Sequence, residues 1–319
     1  MPDGNDDYRV VIDEDSLNWC GRSDDEVQRL VRAFADVLEP LADGRQVALM
    51  RNAWSAECWE GVTLVDIAYT SDRRVPRDRR VWLARLLDKC RTLEPQEQDI
   101  PQQVNYGGHV EEPSWGMTHA WTHAVAGRAM ACLIVTIEPT LAGWTVVDRM
   151  VDGATAHLHF LSEASQLREF WRGVFKYEAV PEERFFVLAE QAFPGLIFAE
   201  DLRFRRFAGS YGDVLPWIIQ LFTALDDHFA AALERHRGDQ NKVMAEMSTY
   251  HVDISPESPG TRKNARAWAQ RLVTYRGVEY RCDWHGKRLW NLDRVHFSRP
   301  LAEQENRILI GIFTDHLDT

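Results

Sequence analysis

Val278-Glu-Tyr-Arg-Cys-Asp-Trp-His285 alternates apolar with polar residues over its whole length. A strand turns successive side chains to opposite faces, so Val278, Tyr280, Cys282 and Trp284 read as inward and Glu279, Arg281, Asp283 and His285 as outward. Leu292–Ser298 repeats the pattern, with Val295 and Phe297 inward and Arg294, His296 and Ser298 outward. Pairing of the two strands through Gly286–Asn291 gathers His285, Lys287, Arg294 and His296 on one polar face. A third strand at Arg307–Phe313 and a preceding helix at about Arg262–Val273 complete a small module.

Upstream, Arg237-Gly238-Asp239 and Ser255-Pro-Glu-Ser-Pro-Gly260 punctuate the chain and place a boundary near 240–260. The expected fold class is α+β. A mixed α/β body covers 1–240, and a small helix-plus-antiparallel-sheet module covers 241–319. In the body, Ser23-Asp-Asp-Glu26 is a capping box. It opens a helix whose stripe is Val27, Leu30, Val31, Phe34, Leu38 and Leu41. Strands are expected at Val10–Ile12, Gln46–Met50 and Val62–Tyr69, a helix near Arg79–Arg91, and a long surface loop over 92–116. Three strands follow at Ala129–Ile137, Trp144–Val151 and Ala154–Leu161, the last two joined by the hairpin signal Asp152-Gly153. Helices are expected at Ser162–Phe175, Glu182–Phe193 and Asp213–His236.

The 319 residues carry a net charge of −12, unevenly distributed. Arg262–Thr319 holds eleven Lys/Arg against seven Asp/Glu, or +4, leaving −16 for the remainder. An anionic partner would therefore meet the C-terminal module. The five cysteines are scattered, without finger spacing, and read as reduced core thiols. With no membrane-length apolar run and no signal-peptide pattern at the start, the expected location is cytoplasmic, with no membrane partner. GxGxxG, Walker and GxSxG signatures are absent, which argues against a Rossmann dehydrogenase, an NTPase or an α/β-hydrolase. No cofactor is expected.

Two outward imidazoles flanked by cations suit metal-free RNA cleavage. One histidine takes the ribose 2′-hydroxyl proton, the other protonates the leaving oxygen, and Lys287 and Arg294 stabilise the charge between them. The same alternation arises in any antiparallel sheet with one solvated face. The order of a helix and three strands with a basic polar face, ending Arg307-Ile-Leu-Ile-Gly-Ile-Phe313, resembles the small RelE/ParE-type bacterial toxins. The family's usual first strand is missing unless Met247–Ile254 supplies it. The resemblance implies that Lys287, Arg294, His285 and His296 act on messenger RNA or another target. The wider layout is similar to bacterial defence-island proteins. The expected function is thus a defence or toxin-type effector whose C-terminal module binds RNA and cleaves it without metal. The alternatives are a non-catalytic adaptor for protein partners of a defence system, and a Mg²⁺-dependent nuclease using strand-end carboxylates Asp13, Asp15, Asp66 and Asp72.

Further nucleic-acid candidates are Arg281 and Arg203-Phe-Arg205-Arg206-Phe, where cations interleave with aromatics. The alternative for the latter is an amphipathic strand with Phe204 inward. His119 and His123 have the spacing of a helical metal pair. No capped helix is expected there, however, and Glu111 and Glu112 are merely near in sequence, so no metal is assigned. His157 and His159 read as the solvent side of a half-buried strand.

Overall fold

The computed structural model describes residues 8–70, 73–97, 100–136, 141–289, 292–315 and 317. It has the mixed α/β architecture expected. The chain divides into two compact units, Met1–Ala179 and Val180–Thr319. No helix among the described residues is long and apolar enough to cross a membrane.

The first unit begins with β1 (Val10–Ile12), α1 (Asp24–Ala42) and β2 (Val47–Met50), followed by a ribbon of β3 (Glu57–Trp59) and β4 (Val62–Thr63). Helices α2 (Leu64–Tyr69) and α3 (Arg77–Leu87) lead to β5 (Arg91–Leu93) and to the hairpin β6 (Val104–Tyr106) and β7 (His109–Glu111). Then come α4 (Trp115–Val125), β8 (Met130–Leu133), β9 (Gly143–Arg149), β10 (Thr155–Leu161) and α5 (Leu167–Tyr177). The sheet runs β5-β2-β1-β8-β10-β9-β6-β7. It is parallel from β5 to β10 and antiparallel beyond.

The capping box at Ser23 and the buried stripe of α1 are as read from the sequence. Asp152-Gly153 joins β9 to β10, with Gly153 at φ 70°. Three expectations fail for local reasons. Leu64–Tyr69 is helical because Thr63 and Asp66 make a capping box that outweighs the β-branched composition. The 92–116 stretch holds β6 and β7, turned at Gly107 and Gly108, both with positive φ. Ser114 caps α4 through the Met117 N–H, so His119 and His123 do stand on a capped helix.

The second unit comprises α6 (Phe185–Ala192), β11 (Leu196–Phe198) and α7 (Tyr211–Ala224), which runs through a π-helical turn at Leu225–Phe229 into α8 (Ala230–Arg235). Next are α9 (Gln240–Ser248), β12 (Asp253–Pro256), two short helices α10 (Pro259–Lys263) and α11 (Ala265–Ala269), and the ribbon β13 (Leu272–Tyr275) with β14 (Val278–Arg281). The chain closes on β15 (Trp284–Lys287), β16 (Arg294–Leu301) and β17 (Arg307–Thr314). The main sheet is β11-β17-β16-β15-β12.

The expected boundary near 240 is corrected by these pairings. β11 lies parallel to β17, so residues well before 240 complete the C-terminal sheet. Leu221 of α7 also packs so closely on Gly286 that a Cβ there would sit 2.6 Å from it. Phe229 stands against both Trp284 and Phe297, each at 5.2 Å between ring centroids. The single helix expected over 262–273 is two short turns, broken where Asn264 ends α10 and caps α11.

Candidate functional site

The four residues gathered by alternation do share one face of the sheet. His285 lies directly opposite His296 and Lys287 opposite Arg294. Trp284, Gly286, Val295 and Phe297 occupy the other face. The expectation that His285 and His296 face solvent is overturned: both are buried, His296 with no exposed surface. The stretch from Glu257 to Cys282 covers that face. Cys282 and Val273 approach Gly311 of β17 within the space a Cβ would need. Only Lys287 and Arg294, farther along the strands, remain half-exposed. Lys287 stands 3.8 Å from Asp253.

Beneath the cover, Glu257 reaches both imidazoles. Its Oε1 is 3.3 Å from His296 Nδ1, 3.5 Å from His285 Nδ1 and 2.9 Å from Arg271 Nε. Glu257 is held in place by its own N–H, which donates to the Asp283 carbonyl at 2.8 Å. Ser255 Oγ lies 3.1 Å from His285 Nε2. Arg271 is fully buried and donates to Glu257 and to the Ala267 carbonyl. Neither ring nitrogen of His296, nor Nδ1 of His285, nor Nη2 of Arg271 has a hydrogen-bond partner among the described residues. The two Nδ1 atoms are near the carboxylate yet poorly directed for hydrogen bonds. An unmet buried group of this kind costs about 1–3 kcal/mol.

Burial lowers both histidines, to about 4 for His296, and the Glu257 carboxylate only partly offsets it. Burial would raise Glu257, but His285, His296 and Arg271 outweigh it and hold the carboxyl far below its usual range. At neutral pH the cluster is therefore one carboxylate, one guanidinium and two neutral imidazoles. Metal-free phosphodiester cleavage needs a protonated histidine and access for the phosphate, and this arrangement offers neither.

Glu257 and Arg271 are the members that the sequence reading missed. Glu257 sits in the Ser-Pro stretch read as marking a domain boundary, 28 residues before His285. Its only local signal is Ser258-Pro259, which starts α10.

Among the other candidates, Arg281 stacks on Trp268 at 4.2 Å and donates to its carbonyl. Arg203–Phe207 forms a 3₁₀ turn at Phe204–Arg206 rather than a strand. Phe204 is buried, Arg205 and Arg206 are exposed, and Arg203 donates to the Glu200 and Leu202 carbonyls.

In the first unit, the Tyr8 hydroxyl and His119 Nε2 are 2.8 Å apart, and the His119 and His123 rings stand 4.6 Å apart. His159 is fully buried rather than solvent-facing, because Phe170 of α5 and Trp144 pack on it. Asp66 caps α2, and Asp72 lies outside the described residues. Comparison with family models, curated proteins and solved structures returned no significant match.

Proposed function

We propose that the second unit is a nucleic-acid recognition module that binds single-stranded RNA across the cover formed by α10, α11 and the β13–β14 ribbon, within a bacterial defence or toxin-type effector. The observation that carries this is Trp268, half-buried, with the guanidinium of Arg281 over its ring at 4.2 Å and that of Arg262 at 5.9 Å. Lys263, Arg266 and Arg276 are exposed on the same segments, and Arg276 lies over Tyr275. Cations interleaved with aromatic rings grip a flexible strand by phosphate contact and base stacking, without needing sequence.

Fluorescence anisotropy with a labelled single-stranded RNA tests this reading. Stacking is worth about 1–3 kcal/mol per base, so Trp268→Ala should weaken binding roughly 10-fold or more. Arg276→Ala should weaken it less and flatten the salt dependence by about 0.7 in log–log slope. If neither substitution changes binding, the cover is not the RNA surface.

A second reading, a Mg²⁺-dependent nuclease in the first unit, is favoured by one observation. Asp13 and Asp15 leave the carboxyl end of β1 where the strand order reverses between β2 and β8, the place where open α/β sheets bind ligands. Glu14 is already taken up there, accepting from the Trp115 and Gly116 N–H groups and from Asn52. On this reading, nuclease activity should vanish in EDTA and in Asp13→Asn. Cleavage that survives EDTA would rule it out.

A further inference from the structure

We propose that Glu257, His285 and His296 form a binding site for one divalent transition-metal ion of the zinc class. One ligand atom from each residue lies within 4.8 Å of the others. A tetrahedral ion with bonds of about 2.0–2.2 Å holds its ligand atoms about 3.4 Å apart, so side-chain adjustments of roughly 1 Å close the set. The backbone fixes two of the ligands, since His285 and His296 are directly opposed in the β15–β16 register. The third is anchored by the hydrogen bond from the Glu257 N–H to Asp283.

The donor set selects the ion. Two imidazole nitrogens and one carboxylate oxygen suit zinc and its neighbours, whereas magnesium and calcium take oxygen throughout. Ser255 Oγ beside His285 Nε2 supplies the outer partner that orients a ligating imidazole and leaves Nδ1 for the metal. A plain Glu257–Arg271 ion pair explains those two residues, but it leaves the Nδ1 atoms of both imidazoles, each within 3.5 Å of that same oxygen, without a hydrogen-bond partner among the described residues.

Arg271 is the ion's competitor for that carboxylate and sets a limit on affinity. Two ligands belong to the sheet and one to the segment covering it, so the ion would pin cover to sheet. The role is structural, because no ligand is open to solvent. The site stands apart from the RNA reading, and binding of metal is measured without any nucleic acid.

The experiment uses untagged full-length protein. It is stripped with EDTA and titrated with Zn²⁺ or Co²⁺, with elemental analysis, visible absorption and thermal unfolding as readouts. Expected are about one ion per chain, d–d bands of Co²⁺ bound by imidazole and carboxylate, and a higher unfolding midpoint. All three should be lost in Glu257→Gln and His285→Ala and kept in the double variant His119→Ala/His123→Ala. If a cluster variant fails to fold, the wild type decides. No retained ion and no shift in midpoint with either metal overturns the site. Metal that persists in folded Glu257→Gln and His285→Ala also overturns it.

Discussion

Glu257→Ala should destabilise the second unit by about 3–5 kcal/mol, measured in EDTA so that no ion contributes. The reason is the partner left behind. Arg271 has no exposed surface, and its Nε lies 2.9 Å from the Glu257 carboxylate. Removing the carboxylate strands a guanidinium where water cannot reach it, and the two neutral imidazoles offer no negative charge in exchange. Replacing both partners, Glu257→Ala with Arg271→Met, should recover much of the loss, since the cost belongs to the unpaired charge rather than to the missing contact. Denaturant-dependent hydrogen exchange reads the effect on the β15–β17 amides, with β8–β10 as the internal reference. A loss below about 1 kcal/mol would mean that the pair is not sealed from solvent as described.

How far the sequence reaches can be judged from the same residues. Period-two alternation correctly put His285, Lys287, Arg294 and His296 on one face, and the strand pairing brought His285 opposite His296. Alternation is a property of the strand alone. It says nothing about what lies on the polar face, and here a segment 257–282 folds over it. The signal for that cover was weak because its helices are single turns and its strands form a separate ribbon. Glu257 was illegible for a related reason: its role depends on contacts 28 and 39 residues away in sequence. Elements decided by short-range signals behaved differently. Ser23 with Glu26 and Asp152-Gly153 are decided within a few residues, and both appear as read. Where two local signals competed, as at Thr63–Tyr69, the cap prevailed over the apolar run. The boundary near 240 failed because Gly and Pro mark turns, whereas unit membership is set by long-range pairing such as β11 with β17.

His159 should make the first unit acid-sensitive in a window that its replacement removes. The ring is fully buried between Trp144 and Phe170, and neither of its nitrogens has a hydrogen-bond partner among the described residues. Burial lowers its pKa from 6.5 to about 4. Above pH 6.5 both folded and unfolded states carry a neutral ring, and the contribution is fully present. As pH falls from 6.5 towards 4 the unfolded chain takes up a proton that the folded one refuses, so stability drops by roughly 3 kcal/mol. Asp13 runs the other way in the same unit. Burial, with Glu14 and Asp15 beside it, pushes its carboxyl up to about 7, so its contribution is lost as pH rises from 3.8 towards 7. The wild-type profile alone would blend the two. The difference between wild type and His159→Leu isolates the histidine, because Asp13 is common to both. His159→Leu should match or exceed wild type at pH 7, since a buried imidazole without partners is exchanged for an apolar group of similar size. At pH 4 it should be more stable by roughly 3 kcal/mol. Urea unfolding at a series of pH values, with histidine-ring NMR to follow the proton directly, decides it. A constant difference across the window, or a His159 ring that titrates near 6.5 in the folded protein, would show that water reaches the pocket between β10 and α5.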